Sequence, residues 1–152
     1  MKQKAFKEQV FKLLFGADFN TREELLDQLP FYFEAGDLTV TEEDRIKIEE
    51  RLNAILDRLP QIDAEIAGKL SKWRPERIGK VERTVIRMTV YELQNCPDVP
   101  VGVTINGAVE LAKKFGQENS GQFVNGVLGA FANAPEDTAE AQKADEEEKP
   151  GL

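Results

Sequence analysis

Apolar residues recur along most of this chain at intervals of three and four, the period of a helix that buries one face. Phe6, Val10, Leu13 and Leu14 form such a stripe from about Lys4 to Phe15, ended near Gly16. Thr21, followed three residues later by Glu24, has the form of a capping box. It opens a helix that buries Leu25, Leu26, Leu29 and Phe33 and ends before Gly36. Pro30 inside this span predicts a kink or an early stop. Thr41 with Asp44 is a second start signal, and from there Ile46, Ile48, Leu52, Ile55, Leu56 and Leu59 recur up to Pro60. A short helix carrying Ile62, Ile66 and Leu70 follows. Pro75 then predicts a long helix from Glu76 to about Gln94. On it Ile78, Val81, Val85, Met88 and Glu92 share one arc, while Arg77, Lys80, Arg83 and Arg87 fall on the far side. Beyond the loop Cys96–Pro100 come two more helices, Val103 to Phe115 and Ser120 to Phe131, with Ser120 as the N-cap of the last. Val99 to Ile105 is β-prone but has no partner segment. The pattern predicts an all-α fold of about seven helices.

Composition narrows the class. At 152 residues with 41% hydrophobic content, the chain can bury a real core. A single cysteine, Cys96, excludes an internal disulfide. The absence of histidine removes His-based triads and His-containing metal sites. Cys96 therefore has no imidazole to activate it, and no carboxylate pair or glycine-rich phosphate loop is marked by spacing. No enzyme, cofactor or metal is expected. No apolar run reaches the roughly 20 residues of a membrane span, so the expected location is the cytoplasm. Residues 134–152 contain little apolar material beyond alanine and read as a disordered acidic tail.

Charge changes the picture. The net charge of -8 argues against a nucleic-acid partner when taken whole. Yet residues 1–22 hold five basic and two acidic groups, net +3, and residues 66–87 hold seven and two, net +5. Residues 23–65 between them carry four basic and thirteen acidic groups, net -9. Two readings fit: basic islands that bind a polyanion locally, or ordinary solvated surface. Lys4 and Lys7 share a helical sector with Phe11, with Phe15 at its edge. Cations beside aromatic rings suit single-stranded nucleic acid; the competing reading places both rings in the core.

The second half carries a more specific signal. Arg87 precedes Tyr91–Glu92–Leu93, and a proline-containing loop leads to Ile105–Asn106–Gly107–Ala108–Val109–Glu110–Leu111–Ala112–Lys113. Phe115–Gly116 and Phe123–Val124–Asn125–Gly126–Val127–Leu128 follow in order. This run resembles the C-terminal signature of the NusB family of transcription antitermination factors, and the lysine-rich first helix is similar to that family's arginine-rich start. Residues 20–75 match only in helical character.

The resemblance implies a NusB-like fold of two small packed bundles, about 1–72 and about 73–133. It implies a non-catalytic, RNA-binding regulator of transcription that pairs with a small-subunit ribosomal protein, NusE. Together they would bind boxA-type single-stranded RNA in ribosomal RNA leader transcripts, as part of the RNA polymerase antitermination complex. Carried over by position, the RNA-facing candidates are Lys2, Lys4, Lys7, Gln122 and Phe123. Lys80, Arg83 and Arg87 are additional phosphate candidates, although Arg87 could instead pair with a carboxylate such as Glu110. Tyr91 and Glu92 are placed near the protein partner. A protein-binding adaptor, or an accessory of ribosomal RNA maturation with little RNA affinity of its own, is the alternative. This chain departs from the family in having lysines for the usual N-terminal arginines and Gly107 for the usual glutamate. Lysine lacks the rigid guanidinium fork.

Overall fold

The computed structural model describes residues 1–36, 39–71 and 73–132. The expected acidic tail lies outside the described residues. Six α-helices occur among the described residues: α1 (Gln3–Phe15), α2 (Arg22–Ala35), α3 (Glu42–Lys69), α4 (Lys80–Asn95), α5 (Val101–Phe115) and α6 (Ser120–Gly129). Single 3-10 turns occupy Gly16–Asp18 and Pro75–Arg77, and no strand occurs among the described residues. The all-α class agrees with the sequence pattern. Two compact units divide inside α3, one of Met1–Asp57 and one from Arg58 onward.

In the first unit, α1 buries Val10, Phe11, Leu13 and Leu14, α2 buries Leu25 and Leu29, and α3 buries Ile48, Leu52 and Ile55. The capping box forms as its sequence predicts. The Glu24 N–H donates to Thr21 Oγ1 at 3.1 Å, and the Thr21 N–H donates to Glu24 Oε1 at 2.8 Å. Together these satisfy two amides that a helix start leaves open. Those bonds hold the Glu24 carboxyl below its ordinary pKa, the Thr21 backbone donor contributing most. At α3, Thr41 Oγ1 likewise accepts the Asp44 N–H at 3.1 Å. The helices are joined by a 2.6 Å hydrogen bond from the Tyr32 hydroxyl to Gln9 Oε1, and by Arg45 over the Phe33 ring. Burial pushes the Tyr32 hydroxyl above its ordinary pKa.

Neither internal proline ends its helix. α2 runs through Pro30 and α3 runs through Pro60, so the stop expected at Pro60 and the separate short helix after it are replaced by one 28-residue element. Both prolines are exposed. A proline within a helix costs about 3 kcal/mol. Leu52, Ile55, Ile62 and Ile66, all at most 1% exposed, flank Pro60 along α3 while the proline itself stays exposed. Each buried side chain of this size contributes roughly 1.5–3 kcal/mol, so the buried face outweighs the lost hydrogen bond.

In the second unit, α4, α5 and α6 pack on one another, and the C-terminal stretch of α3 adds Ile62, Ile66 and Leu70. α4 starts at Lys80 instead of Glu76, because Pro75–Arg77 tightens into the 3-10 turn. Its expected two-faced character is overturned. Arg83, Thr84, Val85, Ile86, Met88, Thr89, Val90 and Glu92 are all buried, so α4 is enclosed nearly all round. A helix packed by several neighbours has no wide polar face. Thr84 and Thr89 fit this setting by donating their hydroxyls to the carbonyls of Lys80 and Val85, each at 2.7 Å.

Candidate nucleic-acid interface

Lys2 and Lys4 are exposed at the start of α1, Lys2 being the residue before its first turn. The amino terminus beside them is held by Asp44 at 3.4 Å. Lys7, one turn further, is 8% exposed and makes an interaction within the protein. Of the three lysines expected to face RNA, two are therefore open cations. Lys12 is exposed as well, and sequence reasoning did not single it out.

The aromatic positions of α1 form a ladder. Phe11 is 4% exposed and lies in the core. Phe15 is half-buried, with its ring centroid 5.9 Å from that of Phe11 and 5.6 Å from that of Phe19. Phe19, just after the 3-10 turn, is 58% exposed. Its N–H donates to the Gly16 carbonyl at 3.0 Å, which fixes the turn that carries the ring.

In the second unit, α6 presents Gln122 to solvent but buries Phe123, which is only 3% exposed. Phe123, carried over as an RNA-facing candidate, is corrected to a core residue on that ground, since a ring without an exposed face offers a base nothing to stack on. Ser120 is also reassigned. It is the first residue of α6, after Asn119 as N-cap, and is 1% exposed. Its hydroxyl donates to Glu82 Oε1 at 2.5 Å and accepts the Gln117 N–H at 2.8 Å. Gly116 is required in this turn, because a Cβ there would meet Ser120 Oγ at 2.5 Å and the Ala112 carbonyl at 2.6 Å. Gln122 lies on an open groove of about 620 Å³ between α5 and α6, with Ile105, Asn106, Val109, Lys113 and Asn125.

The basic residues of the central helix divide. Lys80 is exposed. Arg83 is 9% exposed and donates to the Pro75 carbonyl, bracing the 3-10 turn. Arg87 makes a bidentate pair with Asp63, through Nε at 2.8 Å and a terminal nitrogen at 2.6 Å. Asp63 thus supplies a carboxylate to Arg87, and neither arginine keeps the open fork a phosphate would need. Glu92 is 5% exposed, so it does not present a carboxylate to a protein partner, whereas Tyr91 is half-buried. Among the described residues no cluster of metal-ligating side chains occurs, and no helix is long and apolar enough to cross a membrane.

The sequence matches the NusB family over residues 4–133. Transcription antitermination protein NusB of Agathobacter rectalis is 42% identical over 133 residues, covering 87% of this chain and all of that protein. The homologue from Pseudothermotoga lettingae, of the same name, is 36% identical and covers 86% and 92%. Among solved structures, T. maritima NusB superposes with a TM-score of 0.74 at 34% identity, covering 92% of this chain and 98% of that one. A chain from a crystal structure of antitermination factors NusB and NusE in complex with dsRNA gives 0.70 at 26% identity, covering 86% and 95%. With a signature in the second half, helices capped as the first half predicts, and relatives matched end to end, this chain belongs to the NusB family, whose matched members are named transcription antitermination proteins.

Proposed function

We propose that this chain is a non-catalytic transcription antitermination factor that binds boxA-type single-stranded RNA of ribosomal RNA leader transcripts. In this reading it acts with a small-subunit ribosomal protein in the NusE role, within an RNA polymerase antitermination complex in the cytoplasm. The observation that carries the reading is the likeness to a chain from a crystal structure of NusB and NusE in complex with dsRNA, which supports RNA and NusE as partners. The exposed cations at the start of α1 support it. Lys2 and Lys4 supply phosphate contacts from the first unit; Gln122 and Lys80 are the candidates of the second. Tyr91 remains the candidate toward the protein partner. Such contacts act mainly through charge, so the binding is salt-dependent.

The test is a titration of boxA RNA and of a scrambled RNA, with and without the ribosomal protein. Preference for boxA that strengthens when the partner is present is the expected result. Lys2→Ala and Lys4→Ala each flatten the salt dependence by about 0.7 of a logarithmic unit if one phosphate contact is lost. Binding of the ribosomal protein with no RNA affinity in either mixture would replace this reading with that of a protein-binding adaptor.

A further inference from the structure

The first unit holds an exposed ring that the basic start of α1 leaves unexplained. Phe19 is 58% exposed, although it stands at the end of a ladder whose inner member, Phe11, is 4% exposed. Neighbouring centroids in that ladder are 5.9 and 5.6 Å apart with interplanar angles of 43° and 50°. Phe19 is thus backed by Phe15, which is itself anchored on a core residue, and the turn hydrogen bond to Gly16 fixes its backbone. A ring held in this way does not have to be ordered when a ligand arrives, which lowers the entropic cost of binding.

Helical geometry aligns the ladder with the cations. At 100° per residue, Lys4, Phe11 and Phe15 share a narrow arc of α1, and Lys12 lies at its border. Lys4 stands about 16 Å along the axis from Phe15; because Phe11 between them is buried, a ligand reaching from Lys4 to Phe19, beside Phe15, is an extended one that passes along the exposed border at Lys12. Phosphate belongs beside Lys4 and Lys12, and a flat apolar group belongs on Phe19. Residues 1–22 carry five basic groups against only Glu8 and Asp18, and this excess favours a nucleic-acid strand over an acidic or neutral apolar partner.

From these observations we infer that Phe19 is a stacking platform for an unpaired base of single-stranded RNA whose backbone follows Lys4 and Lys12 along α1. This deepens the proposed function and rests on it. It also gives to a residue beyond the family-signature positions the role that the buried Phe123 does not fill. Stacking on a ring is tolerant of base identity, so Phe19 contributes affinity more than sequence choice.

The experiment uses the full chain and a short single-stranded RNA, beside the same RNA with one abasic position moved along its length. Phe19→Ala, whose folding is verified by thermal melting, is expected to weaken the intact RNA by about 5- to 150-fold while keeping the salt slope unchanged. It is also expected to bind the intact RNA no better than the wild type binds the RNA with its abasic position at the stacked base. Phe19→Trp is expected to bind at least as tightly as wild type, with its fluorescence quenched by the RNA. Wild-type affinity in Phe19→Ala, with the loss in Lys4→Ala intact, would overturn the platform and leave the RNA reading standing. Failure of the wild type to bind RNA at all, with or without its ribosomal partner, would remove both.

Discussion

Arg22 in the first unit and Arg87 in the second each hold an aspartate, yet the two pairs do different work. Arg22 meets Asp57 at 2.5 Å and Asn53 Oδ1 at 2.9 Å with both charged side chains exposed, 43% and 62%. Arg87 and Asp63 are 15% and 28% exposed and joined through two nitrogens. Water screens the first pair, which contributes well under about 1 kcal/mol. The second is shielded on the central helix, where loss of either partner strands the other charge. The same contrast extends to the neighbouring groups. The first unit leaves Lys2, Lys4, Lys12 and Phe19 facing outward, while the second turns Arg83, Glu92, Ser120 and Phe123 inward. A basic residue is therefore available to a polyanion according to how its own position is packed, as buried Lys7 on α1 and exposed Lys80 on α4 also show, and not according to its charge.

The strongest way to break this contrast is Phe123→Ala. Loss of a buried ring is expected to cost about 3–5 kcal/mol in denaturant unfolding. RNA affinity of the folded fraction is expected to stay unchanged; a selective loss of affinity at full stability would return Phe123 to the interface. Next is Arg87→Ala, expected to destabilise by about 2–3 kcal/mol, against less than about 1 kcal/mol for Arg22→Ala measured in parallel. Equal costs would show that the two pairs are not distinguished by their surroundings.

The smallest effect concerns the start of α2. Thr21→Ala is expected to remove about 1 kcal/mol. Because the Glu24 carboxyl has a lowered pKa in the folded state, its contribution is present above its ordinary pKa and lost as pH falls through the lowered value. Glu24→Gln should therefore differ from wild type in melting temperature at neutral pH and converge with it in acid. A difference that persists in acid would mean that the Glu24 charge is not what the capping box uses.

Local signals in the sequence were legible where they are closed within a few residues. The capping residues Thr21 and Thr41, and the helix ends near Gly16 and Gly116, need only their own neighbours to act. The NusB signature was legible too, since it is a linear pattern that the family match covers. The candidate site was only half readable. Lys2 and Lys4 sit at the start of a first-unit helix and stay exposed, whereas Arg83 and Glu92 looked equally polar and are enclosed. Phe19 lies past the end of the periodic stripe, so the pattern gave no reason to consider it.

The chain by itself determined that it is helical and where most helices begin, because caps and apolar spacing act over one or two turns. It also determined that residues 1–22 carry an excess of cations. Only the tertiary structure decided that α3 continues through Pro60, because the apolar face that outweighs a proline gains its free energy from packing. Tertiary structure likewise decided which charges remain open. Arg87 meets Asp63 across 24 residues, and no local pattern reports on a partner that the fold brings from so far away.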